Sequence, residues 1–350
     1  MKLRVGTFNL YQFVEPPYSC YTRKGKYNQR QWLEKTLWIK KQILAMDCDI
    51  IGFQEVFSKK ALETLVKELG YAHFATVDDA KLSETTPHKY TTTTVAIASK
   101  YPIANIQGVD VHTSSLEKHH FKDTFTFSRV PIKAMISLPN GKELLVYVCH
   151  LKSNRLNEFE YVFKKEDTLA QKKERVFTLL EEKQSSALRQ RLCEASSLFH
   201  DIQSSRHTPT VLMCDLNDKE YSLTIDALTN PTYYDDISED PPLLYDASYQ
   251  YKAKVHNPHP EAKKPKRTPT SYFKSKGNVL DYIFISEYFH KENMHKVGRV
   301  TDYHVLDKHL QTHKDGSIIQ SDHAQVVCEL AFDTWSFGIE EKRRMEGDGI

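Results

Sequence analysis

The residues best suited to chemistry in this 350-residue chain stand at the ends of apolar runs. Phe8-Asn9-Leu10 ends the first run and Phe53-Gln54-Glu55-Val56 the second. Cys149-His150, Cys214-Asp215-Leu216-Asn217, Leu280-Asp281 and Ser321-Asp322-His323 punctuate later ones. A single Asp or Asn at a strand end is ordinarily a turn or cap residue. Carboxylates, amides and imidazoles recurring at one strand end after another describe something else, because layered α/β proteins bind ligands beyond their strand ends. Side-chain oxygens of this kind suit a hard divalent cation, and the imidazoles suit proton transfer or hydrogen bonding to an anion.

Such ends need strands behind them. Strands are predicted at Leu3–Leu10, Asp49–Val56, Thr94–Ser99, Val130–Leu138, Leu144–His150, Thr210–Asp215, Asn278–Ser286 and Ala324–Phe332. Asn140-Gly141 marks a hairpin turn between two of them. Gln31–Met46 reads as a helix whose Trp32, Leu33, Leu37, Ile39, Ile43 and Leu44 form a broad apolar face. Lys59–Leu69 reads as a second helix stopped by Gly70, and more helix is expected within Glu166–Gln203 and near Leu223–Leu228. The long insert Asn154–Gln203 and the loop Tyr11–Arg30 are expected to shape the rim of a cleft.

Composition narrows the class. A hydrophobic fraction of 40% and a charged fraction of 27% are those of a soluble globular protein. The net charge of +2 gives the whole molecule no preference for nucleic acid, so any such preference must be local. The most biased stretch is Lys252–Lys276, dense in Lys and Arg and broken by Pro and His, hence a loop. The six cysteines show neither a CxxC pair nor zinc-finger spacing and are expected to be reduced and buried. No stretch approaches the roughly 18 apolar residues of a membrane span. Met1–Phe8 enters a strand-like run at once, and a cytoplasmic location is expected.

In their order, the motifs Phe8-Asn9-Leu10, Phe53-Gln54-Glu55-Val56, Cys149-His150-Leu151-Lys152-Ser153, Cys214-Asp215-Leu216-Asn217-Asp218, Leu280-Asp281-Tyr282-Ile283-Phe284 and Ser321-Asp322-His323 resemble those of the endonuclease/exonuclease/phosphatase (DNase I-like) superfamily, in particular its bacterial nuclease-like members. The resemblance runs from Leu3 to Leu330. It implies one domain over residues 1–332 with a C-terminal tail at 333–350. It also implies an α/β fold, a four-layer sandwich of two mixed β-sheets packed face to face with helices outside.

The resemblance further implies Mg²⁺, or Mn²⁺ in its place, held by Asn9, Glu55 and Asp322. His150, Asp215, Asn217, Asp281 and His323 would be catalytic, and Arg129, Asn217 and Lys152 would contact the substrate phosphate. The residue types agree with these roles. An Asp281 carboxylate can fix the tautomer of His323 and raise its basicity. Asp215 and Asn217 alternate along an extended segment, so both can face one cleft. Arg129, Lys152 and Arg155 suit phosphate contacts, and equally suit solvated surface charges. The implied reaction is in-line attack of water on a phosphate ester.

Substrate is read less sharply. A nuclease acting on DNA or RNA, with nucleic acid as partner, no membrane contact and no obligate protein partner, is the first reading. The basic loop Lys252–Lys276, with Tyr249, Tyr251, Tyr272 and Phe273 interleaved, suits a phosphate backbone and its bases, and also suits a solvated insertion. The alternative is a phosphatase or phosphodiesterase acting on a soluble nucleotide, inositol phosphate or lipid-derived phosphoester. An inactive binding module on the same fold is the third reading, against which the complete residue set speaks. Two departures from the motifs stand out: Cys214 where Gly is usual, and Thr93-Thr94 where Gly-Asn is frequent.

Overall fold

Alternation along the strands sorts most of the apolar residues into three of the four buried clusters. Leu3, Val5, Ile50, Val146, Val148, Val211, Met213, Ile283 and Ile285 meet in one of them, between two sheets. The intervening Phe8, Leu10, Ile51 and Phe53 face outward and pack with Ile39, Ile43, Met46 and Leu62. On the other side Tyr147, Cys149, Leu212, Cys214 and Tyr282 pack with Leu188, Leu192, Ala195 and Leu223. The outcome is a four-layer sandwich, helix–sheet–sheet–helix, as the resemblance implied. This computed structural model describes residues 1–21, 26–121, 125–153, 166–174, 186–235, 237–251, 267–273, 276–312 and 318–333.

Among the described residues, each of the two large sheets has six strands. The first runs Gly298–Leu306, Gln325–Phe332, Lys2–Phe13, Ile50–Val56, Thr94–Ser99, His73–Ala75. The second runs Leu244–Asp246, Asp281–Ser286, Thr210–Asp215, Glu143–His150, Ile132–Ser137, Ile103–Gly108. Each is mixed: Lys2–Phe13 lies antiparallel to Gln325–Phe332 and parallel to Ile50–Val56, and Thr210–Asp215 lies parallel to Glu143–His150 and antiparallel to Asp281–Ser286. Gly52 sits where the sheets touch. A Cβ there would meet Val148 Cγ1 at 2.9 Å and Met213 Cβ at 3.2 Å, so the close approach depends on the missing side chain.

Several predicted elements shift at their ends. The first helix is Gln29–Met46, because Asn28 and Gln31 form a reciprocal capping box that starts it two residues before Gln31. Its apolar face is narrower than predicted. Leu33, Leu37 and Leu44 are exposed, and the buried stripe is Lys35, Ile39, Ile43 and Met46. The predicted strand from Asn278 begins only at Asp281, since Lys276–Asn278 pairs instead with Ser271–Phe273 as a short hairpin. The Asn140-Gly141 turn joins Ile132–Ser137 to Glu143–His150, with Gly141 in the left-handed region at φ 76°. All six cysteines are buried and none is in a disulfide. Among the described residues, no helix is long and apolar enough to cross a membrane. The predicted C-terminal tail, beyond Asp333, lies outside the described residues.

Candidate active site

Strand parity explains how the polar residues converge. Asn9 shares the inner face of Leu3 and Val5, His150 that of Val146 and Val148, Asp215 that of Val211 and Met213, and Asp281 that of Ile283 and Ile285. Each therefore points between the sheets at the end where the sandwich opens. A cleft of about 1350 Å³ lies there, lined by Glu55, His150, Asp215, Asn217, Asp322 and His323 together with Arg129 and Lys152. Glu55 is the exception to parity, which would turn it outward with Ile51 and Phe53. A left-handed backbone at φ 58° swings it toward the cleft, and Gln12 N, itself at a left-handed residue, donates to its Oε2 at 2.8 Å.

Behind the opening lies a buried polar network. Asp215 Oδ2 accepts from Asn9 Nδ2 at 2.9 Å and lies 3.4 Å from His150 Nε2. Asp215 Oδ1 accepts from Asn217 N at 2.9 Å. His323 Nδ1 lies 2.8 Å from Asp281 Oδ2, and Asp281 N donates to Thr270 Oγ1. Burial pushes the Asp215 carboxyl up to about 7, the nearby His323 charge opposing the rise and Asp281 adding to it. Burial alone would lower His323. The carboxylates of Asp281, Asp215 and Asp322 outweigh it and hold the imidazolium well above its ordinary range.

Two groups of side chains here have donor sets suited to a metal. Asp215, Asp281 and His323 offer ligand atoms within 4.8 Å of one another, although they also satisfy each other as ion pairs. Glu55 and Asp322 both line the cleft, and Asp322 Oδ1 is buried with no hydrogen-bond partner among the described residues. A buried, unpartnered carboxylate oxygen is costly unless a cation or donor meets it, so this pair fits a hard divalent ion. Asn9, expected as a metal ligand, reaches the same end of the sandwich from the first sheet. It is 1% exposed, its Oδ1 accepts from Tyr11 N, and its amide supports Asp215.

The predicted phosphate contacts are also located. Arg129 Nη1 and Asn217 Nδ2 both donate to the carbonyl of Leu151, each at 3.1 Å, which ties them to one point beside Lys152. Arg155 and most of the basic loop Lys252–Lys276 lie outside the described residues. Within that loop, Arg267 is not available as a surface cation. It is buried, pairs with Asp246 and Glu220, and donates to Tyr303 Oη at 3.2 Å. Tyr272 and Lys276 do line the cleft. At the departures from the motifs, Cys214 is buried with its thiol donating to Tyr282 O, and Thr93 donates to Val56 O.

Sequence reasoning missed three residues around the site. Tyr21 lines the cleft, as Arg129 does, and its phenol is raised by burial against the pull of the Arg129 charge. Lys35 is fully buried, with Nζ donating to Tyr11 O at 2.7 Å and Ile318 O at 3.2 Å. Burial pushes its ammonium down to about 7, against the pull of Asp322 and Glu55. Glu194, 1% exposed, accepts from Ser128 N and Lys152 N, both at 2.7 Å. Of the three only Lys35 carried a signal, a lysine placed in an apolar helical stripe.

No protein-family model matches the sequence, and no curated protein matches it. Solved structures do. The human Nocturnin catalytic domain with bound sulfate anion is 16% identical with a TM-score of 0.58, over 95% of this chain and 94% of that one. An endonuclease/exonuclease/phosphatase family protein from Bacteroides thetaiotaomicron is 16% identical with a TM-score of 0.50, over 95% and 99%. D. rerio TDP2 complexed with a single strand DNA product is 10% identical with a TM-score of 0.50, over 94% and 99%. The chain therefore has the fold of the endonuclease/exonuclease/phosphatase proteins.

Proposed function

We propose that this chain, read as one domain over residues 1–332, is a divalent-metal-dependent phosphoesterase that hydrolyses phosphodiester bonds in nucleic acid. The observation that carries the reading is the convergence of Glu55 and Asp322, Asp215 and Asn217, His150, His323 and Arg129 on one open cleft. The similar fold of D. rerio TDP2, described with a single strand DNA product, supports nucleic acid as the substrate class.

Glu55 and Asp322 would hold Mg²⁺, which supplies charge neutralisation at the phosphoryl oxygens when bound. The remaining steps belong to the chain. Arg129 and Lys152 bind the phosphate as cations. Asp215 and Asn217 orient the attacking water, and a carboxyl that titrates near neutrality is suited to take its proton. His323, held charged by Asp281, hydrogen-bonds a non-bridging oxygen, and His150 faces the leaving group. One P–O bond forms from water as Asp215 takes its proton, the bond to the leaving alcohol breaks, and that oxygen takes a proton from solvent or from His150.

A second reading, hydrolysis of a small soluble phosphoester, is favoured by one observation. Asp78 and Asp79 line the cleft, and carboxylates there disfavour a continuing phosphate backbone, although Asp79 pairs with Lys59. The same cleft also presents Lys219 and Lys276, which suit a polymer. The test is nicking of supercoiled plasmid and cleavage of a single-stranded oligonucleotide in Mg²⁺ or Mn²⁺, with EDTA and an Asp322→Ala/His323→Ala double variant as controls. Metal-dependent cleavage lost in the variant supports the nuclease. No cleavage at enzyme levels that still hydrolyse nucleotides or other soluble phosphate esters moves the second reading to first place.

A further inference from the structure

Helix Ser186–Ser204 does more than cover the second sheet. Its first turns reach three separate segments of the cleft wall. Glu194 Oε1 accepts from Ser128 N at 2.7 Å, and its Oε2 accepts from Lys152 N at 2.7 Å. Gln190 Nε2 donates to that same carboxylate at 3.0 Å and to Thr126 O at 2.9 Å. Arg191, fully buried, donates Nη1 to Lys152 O at 3.1 Å and Nε to Asp218 Oδ2 at 3.2 Å. Both backbone groups of Lys152 thus end on one helical turn, and the neighbour of Asn217 is held by the same turn.

We infer that Glu194 is a positioning residue that fixes the spacing between Arg129 and Lys152, and so sets the phosphate-binding side of the cleft. The inference rests on the phosphoesterase reading above. Its physical basis is donor arithmetic. Two backbone N–H groups from different segments must be met by one side chain, and only a carboxylate offers two oxygens that are acceptors alone. A buried carboxylate is retained only where its bonds offset desolvation, and charge-assisted bonds of 2.7 Å do so. Ser128 immediately precedes Arg129, whose guanidinium donates to Leu151 O, the carbonyl next to Lys152. The Arg129 guanidinium and the Lys152 backbone are therefore tied to a common frame before substrate arrives. The hydrogen bonds that Glu194 accepts involve neither Asp215 nor His323, so loosening the frame acts on phosphate binding more than on the chemical step.

Glu194→Gln tests this, because its amide NH₂ would face one of the two N–H donors while side-chain volume is unchanged. Cleavage kinetics on a metal-loaded wild type and variant are measured alongside calorimetric binding of inorganic phosphate. The expected result is a rise in both KM and the phosphate Kd of about tenfold, with kcat within about twofold. Should that variant fail to fold, Glu194→Asp keeps the charge, shortens the reach and is expected to raise both constants by less. Unchanged KM and phosphate Kd, or a fall in kcat alone, would overturn the inference while leaving the phosphoesterase standing. A wild type that neither cleaves phosphodiesters nor binds phosphate would overturn both.

Discussion

Asn9 Nδ2 donates to Asp215 Oδ2 at 2.9 Å, joining the first sheet to the second through residues 206 positions apart in sequence. The bond explains why the two motifs need each other. Asp215 is fully buried, and its carboxylate oxygens are met by Asn9 and by the Asn217 amide. A buried acid with two donors is directed and reactive, whereas one with neither is only destabilising.

The first prediction separates two roles for Asn9. If it supports Asp215, Asn9→Ala lowers kcat by about 10²-fold, the scale of losing one preorganised donor. The Mg²⁺ concentration for half-maximal activity should then change little. A metal-ligand role instead predicts a large rise in that concentration, so a Mg²⁺ titration of the variant decides between them.

Metal binding should also be visible without turnover. An ion that binds only the folded state stabilises it by mass action. Mg²⁺ is expected to raise the Tm of the wild type and to leave those of Glu55→Gln and Asp322→Asn nearly unmoved. Scanning calorimetry with and without EDTA measures this.

Acid sensitivity should trace in part to His119. It is 1% exposed, neither ring nitrogen has a hydrogen-bond partner among the described residues, and burial pushes its pKa down from 6.5 to about 3. The folded state therefore favours the neutral ring. Its contribution is fully present above about 6.5 and is lost progressively as pH falls toward about 3. Each unit of that interval corresponds to about 1.4 kcal/mol. His119→Phe, which keeps a ring against Tyr233, is expected to flatten the loss of urea stability between pH 6.5 and 4.

Lys35 offers a stability prediction. Its ammonium satisfies the carbonyls of Tyr11 and Ile318, and Tyr27 Oη also donates to Ile318 O at 2.7 Å. Lys35→Met keeps the stem and removes the donors, leaving the Tyr11 carbonyl poorly satisfied. A loss of about 1–3 kcal/mol in urea unfolding is expected, the cost of a buried unsatisfied polar group. Lys35→Arg should lose less.

How far the sequence reached can be judged from particular residues. The inner-face positions of His150, Asp215 and Asp281 follow from strand parity alone, so the motif order located them. Glu55 did not follow from parity, because its orientation depends on a left-handed backbone that a period-two pattern does not encode. Asn9 was read as ending the first strand, which in fact continues to Phe13, and its hydrogen bond to Asp215 depends on the distance between two sheets, a tertiary quantity. Glu194 had no signal, since a glutamate in a helix reads as solvated until the helix is seen against the cleft wall. The ion pairs of Arg267, within the basic stretch Lys252–Lys276, were not legible for the complementary reason: its partners Asp246 and Glu220 lie in segments that only the fold brings together.

The central claim is that this cleft hydrolyses phosphodiesters using a divalent ion and Asp215. Hydrolysis of bis(p-nitrophenyl) phosphate by purified wild type and Asp215→Asn, each with Mg²⁺ and with EDTA, tests it most directly. The account predicts turnover in Mg²⁺ that EDTA abolishes and that Asp215→Asn reduces by about 10³-fold or more, with folding unchanged. Turnover that persists in EDTA, or that survives the substitution undiminished, would contradict it.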